Sequence, residues 1–323
     1  MLEVLLDNKD GKVWDISGIV TDVNWKTNRL GQPGSLNFAL IKGAKHYQSK
    51  DFKYANGDIV RVKYKDHNMF YGYIFNIESS LDENVKILAY DQLRYLKNSD
   101  MYTFSNVTAT EIIQKIASDY SLQTGRLDDS GYRIPSMVED GTSLIDVIDK
   151  AIVYTLWHTN QHFVLFDDFG SLSLRNVEDM LVDFYIGDWS LLYDFKSTVS
   201  IDSDTYNQIK LYKDDQETGE RKLYKAEDSV NIAKWGMLQL YQSVDEDKNE
   251  AQIGELLDQL STLKNRETKT MKVEAIGDIR VRAGCYVPIV IEQYGINQPF
   301  LVNECQHRID GAGHTMSLEL KVI

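Results

Sequence analysis

At 323 residues the chain is about twice the length that one hydrophobic core serves, so two or three domains are expected. Hydrophobic residues make up 43% and charged residues 26%, which excludes a disordered or fibrous chain. A formal net charge of −14 excludes an overall basic footprint for gripping phosphates, so specific nucleic-acid binding is not expected.

The first hundred residues read as strands joined by turns: LEVLLD from Leu2, GIVTDVNW from Gly18 and SLNFALIK from Ser35, with Gly31, Pro33 and Gly34 marking a loop before the third. GDIVRVKY, FYGYIFNIES and VKILAYD follow, with Val60, Val62 and Tyr64 on one alternating face and Tyr71, Tyr73, Phe75 and Ile77 on another. Period two over three successive segments predicts an antiparallel meander.

The period then changes. Thr108 stands three residues before Glu111 as a capping box, and Ile112, Ile113, Ile116, Ala117 and Tyr120 recur at helical spacing, so a helix starts near Ala109. A second helix follows Thr142 and Ser143, with Leu144, Val147, Ile148, Ala151 and Ile152 as its apolar stripe and Asp146 suited to its first turn. HFVLF, the turn DDFG and SLSLR read as a β-hairpin, so the middle of the chain is a small α+β module. Tyr90, Leu93, Tyr95 and Leu96 are expected to pack the joint between the first strands and this module.

From about Ser200 strands resume as TYNQIKLYK, RKLYKAE and WGMLQLYQS, then an acidic DEDKNE run leads into a helix with Ile253, Leu256, Leu257, Leu260 and Leu263. TKTMKVEAI, CYVPIVIE, PFLVNECQHRI and HTMSLELKV close the chain. The segment from Gly57 and the segment from Gly284 share a glycine, an alternating strand, a polar turn, re-entry at Phe70 or Phe300 and a last strand. Val60 matches Val287 and Val62 matches Ile289 in phase. Coincidence between two ordinary meanders and an ancient duplication both explain this; duplication would give two related β-barrels, six in a trimer.

Asp168, Phe169 and Gly170 copy the magnesium motif of protein kinases, but no glycine-rich phosphate loop or His-Arg-Asp loop accompanies them, and Asp and Gly are what a tight turn requires. His158 and His162, spaced i, i+4, lack a surrounding carboxylate motif for a metal and suit a helix end. Cys285 and His307 could be imagined as a thiol and its base, yet Cys285 lies in an alternating strand instead of at a helix N-terminus. Two cysteines are too few for a disulfide framework or a cysteine zinc cluster. No catalytic, cofactor-binding or metal-binding residue is therefore assigned, and no enzyme activity is expected. The N-terminus MLEVLLDNKDGKV lacks a signal-peptide pattern, and no long apolar run appears, so synthesis in a cytoplasm without stable membrane association is expected.

AYDQLRYLKNSDMYTFSNVTATEIIQKIASDYSL, together with GDIVRVKY, WHTNQHFVLFDDFGSLSLRN and SIDSDTYNQIKLY, resembles the XkdQ/YqbQ family of PBSX-like prophages, over most of the chain. That resemblance implies a baseplate hub protein of a contractile phage tail or phage-derived bacteriocin, related to phage late control proteins. The implied fold is α+β and mostly β, with two tube-like antiparallel β-barrel domains and an inserted small α+β module. The implied boundaries are 1–97 for the first barrel, 98–198 for the module and 199–323 for the second barrel, which carries an inserted helix at 248–264. A homotrimer would join the six-fold tail tube to the three-fold spike, in contact with tail tube protein, central spike protein and other baseplate subunits, without cofactors. The acidic balance would suit a lumen that does not hold DNA. A peptidoglycan-active enzyme or cell-wall-binding module of the tail tip is the alternative, and a secretion-system spike component a third.

Overall fold

The computed structural model describes residues 2–41, 51–81, 84–202, 204–214, 220–244 and 249–321. The chain divides into two compact units, residues 1–196 with 272–323, and residues 197–271. The mostly-β α+β class expected from the sequence is the one found.

In the first unit, β1 (Leu2–Asp7), β2 (Val13–Asp15), β3 (Val20–Asn28), β4 (Ser35–Ile41), β5 (Ile59–Tyr64), β6 (His67–Ser79) and β7 (Asn84–Tyr90) come first. β5, β6 and β7 form the expected antiparallel meander. Val60 and Val62 are fully buried with Leu6, Leu36, Ile74 and Ile87. The core phase of β6 differs from the aromatic alternation: Phe70, Gly72 and Ile74 face the strand core, while Tyr71, Tyr73 and Phe75 lie half-buried on the opposite face. A bulge between Ile74 and Asn76 then shifts the register against β7.

The middle of the chain contributes β8 (Ser99–Thr108), α1 (Ala109–Asp119), β9 (Thr124–Leu127), β10 (Arg133–Ser143), α2 (Leu144–Thr159), β11 (Phe163–Asp167) and β12 (Leu172–Asn176). The capping box forms as expected: the Glu111 N–H donates to Thr108 Oγ1 and the Thr108 N–H to Glu111 Oε2. Ser143 caps α2, and Ile112, Ile113, Ile116, Leu144, Val147 and Ile148 share one core. Each such side chain contributes about 1.5–3 kcal/mol. Residues 99–108 and 133–143 look too polar for strands. They nevertheless pair antiparallel, with the apolar Tyr102, Phe104, Ile134 and Met137 turned inward.

Two further strands, β13 (Ile186–Gly187) and β14 (Leu192–Ser200), follow, and β14 runs into the start of the second unit at Ser197. In that unit β15 (Gln208–Asp214) pairs antiparallel with β16 (Arg221–Glu227) and parallel with β17 (Gln239–Ser243). Between them α3 (Ser229–Trp235), capped by Asp228, takes up Trp235, which the sequence assigns to a strand; Gly236 at φ +79° ends the helix. The inserted helix is α4 (Glu250–Lys264), and its Ile253 and Leu257 pack on Ile209 and Leu211 while Leu263 stays exposed. The acidic run at 245–250 lies outside the described residues up to residue 248, which includes the expected first residue of that helix.

The chain closes with β18 (Thr268–Ile276), β19 (Tyr286–Ile291), β20 (Ile296–Asp310) and β21 (Gly313–Lys321). One large sheet runs β14-β18-β21-β20-β3-β4-β7-β6-β5-β1-β2, with β19 joining β20 and β13 joining β19. Residues 199–323 are thus not one contiguous unit, as the sequence suggested. The closing strands share a sheet with the first seven, and residues 197–271 form a compact unit of their own.

Candidate functional site: a buried joint and open strand edges

The residues singled out for chemistry serve structure. Asp168, Phe169 and Gly170 form the β11–β12 turn, with Phe169 at φ 52° and Gly170 at φ 93°. The Asp168 N–H donates to the Ser171 carbonyl at 2.7 Å, and the Phe169 ring meets Tyr71 edge-on. His158 lies in the last turn of α2, stacked on Tyr132 at 4.1 Å. Asn160 then adopts the left-handed conformation and ends the helix, so His162 does not share a helical face with His158.

Cys285 and His307 are not brought together as a pair. The Cys285 thiol donates to the Arg282 carbonyl at 3.0 Å, and His307 stands 3.1 Å from Cys305. His307 Nε2–H donates to the Val281 carbonyl at 2.8 Å, which leaves Nδ1 to accept from His314 Nε2–H at 3.0 Å. Burial pushes the Cys285 thiol up to about 11 and that of Cys305 well above its ordinary value, and lowers His307 to about 4. At neutral pH neither a thiolate nor an imidazolium is present, the opposite of what an activated thiol nucleophile requires.

The stretch after β7 is a joint. Asp91 accepts the Gly34 N–H at 2.8 Å and the Leu93 N–H at 3.0 Å, so one carboxyl ties the β3–β4 loop to the turn beginning at Gln92. A Cβ on Gly34 would stand 2.4 Å from Asp91 Oδ2, and glycine alone permits that approach. Leu93 and Leu96 enter the core of α1 and α2, while Tyr90 and Tyr95 pack edge-on or tilted against Phe75. All four residues expected to pack this joint do so.

Arg282, between β18 and β19, reaches the same place. Its guanidinium lies 3.8 Å above the Phe166 ring and donates to the Asp167 carbonyl at 3.2 Å. Burial raises Asp91 strongly, with the Asp167 charge adding to it, and raises Asp167 to about 6, with the Asp168 charge adding to it, while Arg282 opposes both. Burial also raises Asp149 of α2 to about 7, although it accepts the Gly31 N–H and faces Arg29. Segments distant in sequence therefore meet at carboxyls kept out of water. No sequence pattern flagged Asp91, Asp149, Asp167 or Arg282, because separations of 18 to 191 residues between them carry no periodic signal.

The repeat suspected from Gly57 and Gly284 is visible in the backbone. Both glycines are left-handed, at φ +90° and +91°. The Gly57 N–H donates to the Ile74 carbonyl and the Ile74 N–H to the Asp58 carbonyl, at 2.8 and 2.9 Å. The Gly284 N–H donates to the Val302 carbonyl and the Val302 N–H to the Cys285 carbonyl, at 2.8 and 3.0 Å. A register shift follows each, between Ile74 and Asn76 and between Val302 and Glu304. The strand order β3-β4-β7-β6-β5-β1 is likewise matched by β14-β18-β21-β20-β19-β13. Val60 with Val287 and Val62 with Ile289 keep the expected phase. Phe300 corresponds to Gly72 and not to Phe70, a two-residue offset, because the turns joining β5 to β6 and β19 to β20 differ in length.

One difference between the copies stands out. The edge of β20 beyond β19 is covered: Glu304–Ile309 pairs antiparallel with Val23–Asn28 of β3. There Trp25 stacks on His307, Lys26 meets Glu304 at 2.8 Å, and Thr27 Oγ1 accepts the Ala283 N–H.

Residues 23–321 match the family described as YQBQ-like. The chain is 30% identical over 307 residues to the phage-like element PBSX protein XkdQ of Bacillus subtilis, covering 94% of this chain and 92% of that protein. The chain belongs to the YqbQ-like family. In fold, this family member is similar to the 43 kDa tail protein of prophage MuSo2 from Shewanella oneidensis, with a TM-score of 0.70, 16% identity and 98% of each chain covered. It is also similar to a tail protein from Neisseria meningitidis, with a TM-score of 0.67, 13% identity and 99% and 96% of the two chains covered.

Proposed function

We propose that the chain is a structural hub protein of a contractile phage-tail baseplate or phage-derived bacteriocin. In this reading three copies close a ring that joins the six-fold tail tube to the three-fold spike. The observation that carries this reading is the doubled meander. Two copies of one corner, bulge and strand order in each chain supply six similar elements in a trimer, which is what an adaptor between six-fold and three-fold symmetry needs. The prophage name of the XkdQ relative and the tail-protein identity of the similar folds support the setting. The proposed ring elements are the two meanders, with the α+β module between them along the chain.

The proposed role is mechanical, with no bond made or broken, and the buried joint would hold the two ring elements in a fixed mutual geometry. Tube, spike and other baseplate proteins are the proposed partners, after synthesis in a bacterial cytoplasm. Imaging of the tail with its tube and spike tests the reading. Three copies in one ring between tube and spike are expected; a different copy number, or a location away from that junction, overturns it. Reproducible muropeptide release from cell wall by the purified chain, lost on a single carboxylate or Cys285 substitution, would establish the enzymatic alternative instead.

A further inference from the structure

The two meanders share the glycine corner, the bulge and the strand order, although β1 pairs antiparallel with β5 and β13 parallel with β19, and their edges are not equally covered. In β20, Cys305 and His307 are buried beneath β3. The matching run of β6, Asn76–Ser79, continues past the end of β5 in the same way, and β7 lies on its other side. Among the described residues no strand pairs with the free side of this run, and Asn76, Glu78 and Ser79 are exposed. An open strand edge is a row of backbone groups suited to pairing with another chain.

The missing strand can be named from the repeat. β3 covers β20, and the counterpart of β3 in the second copy is β14, which sits at the end of the sheet as an edge strand. Its Tyr193 is 62% exposed, and Asp194 and Lys196 are exposed beside it. We infer that β14 of a second copy of this chain pairs antiparallel with Asn76–Ser79 of β6, repeating between copies the contact that β3 makes with β20 within one. The arrangement is head-to-tail: each copy offers one acceptor edge and one donor strand. It deepens the ring reading and rests on it, since a head-to-tail contact closes after three copies only if each meander step turns about 60°. It also leaves neither edge exposed in the assembled particle, which removes an aggregation hazard.

Cross-linking in tail particles tests this. Cys285 and Cys305 are buried, so they provide an unreactive background. Glu78→Cys and Tyr193→Cys are introduced singly and together, with Asn76→Cys and Asp194→Cys as a second pair; all four side chains are exposed, so folding is not at stake. A thiol cross-linker about 10 Å long spans neighbouring strands even with a two-residue slip of register. The double variants are expected to give covalent dimers and closed trimers, and the single variants only monomers. Trimers of native mass that fail to cross-link in both double variants overturn the strand pairing and leave the ring standing. Cross-linking of a single variant to itself also overturns it, since that requires a two-fold contact. Particles holding no trimer overturn both readings.

Discussion

Replacing Arg282 by Met keeps the aliphatic bulk and deletes the one guanidinium in contact with Phe166 and the Asp167 carbonyl. The cost follows from the neighbouring carboxyls. With Arg282 present, Asp167 titrates at about 6 against an ordinary 3.8, so at pH 7.5 its burial already costs about 3 kcal/mol. Without the cation its value rises further, and the penalty is capped by the cost of protonating it, about 5 kcal/mol at pH 7.5. The variant therefore loses up to about 2 kcal/mol from Asp167 at pH 7.5, and Asp91 adds to the same side. Loss of the desolvated cation–π contact removes about 1–2 kcal/mol more at any pH. At pH 5 Asp167 is largely protonated in both proteins, so only this second part remains. Urea unfolding followed by tryptophan fluorescence at pH 7.5 and pH 5 reads the difference: a loss larger at pH 7.5, up to about 3–4 kcal/mol, is expected against about 1–2 at pH 5. A loss equal at both pH values would refute the buried-carboxyl argument.

Asp149 carries a folded value of about 7 against 3.8, so its contribution is fully present below pH 3.8 and is lost as pH rises through 7, to the extent of about 4 kcal/mol. Asp149→Asn lacks that titration, and its stability should gain on the native protein by up to this amount between pH 4 and pH 8. Parallel pH profiles in thermal unfolding would exclude it. Gly72→Ala places a Cβ 2.3 Å from the Tyr90 carbonyl oxygen and 2.5 Å from the Phe70 ring, so β7 or β6 must shift. A loss of about 1–3 kcal/mol is expected from the denaturation midpoint. Gly57 has open space at its Cβ, so Gly57→Ala should cost only the strain of its positive φ, and the contrast checks that the clash, and not glycine loss as such, sets the Gly72 effect.

Local order was legible wherever a short-range rule acts. The capping box of Thr108 and Glu111, the Ser143 cap, the β11–β12 turn and the β5–β6–β7 meander depend on residues within a few positions of one another, and their spacing is preserved in any fold. β8 and β10 were illegible because each buries few side chains and relies on backbone pairing with a partner some thirty residues away. The aromatic face of β6 was seen, but not its role. Tyr71, Tyr73 and Phe75 alternate as a core strand does, yet they pack the joint, because Phe169, Tyr90 and Tyr95 are brought there only by folding.

For the candidate site the division is sharper. The pairing of Cys285 with His307, which the strand position of Cys285 argued against, is not made in space: the thiol beside His307 is that of Cys305, two residues away on the same face of β20. From the sequence alone came the class of fold, the helices with their caps, a shared pattern starting at two glycines that coincidence explained as well as duplication, and the lack of any recognisable catalytic motif. The tertiary structure alone decided that the closing strands share a sheet with the first seven, that Asp91, Asp167 and Arg282 meet out of water, and which of two equivalent strand edges is covered. The reason is physical. Caps and periodicity are set by neighbours along the chain, whereas sheet order, desolvation and edge coverage depend on which distant segments displace water from one another.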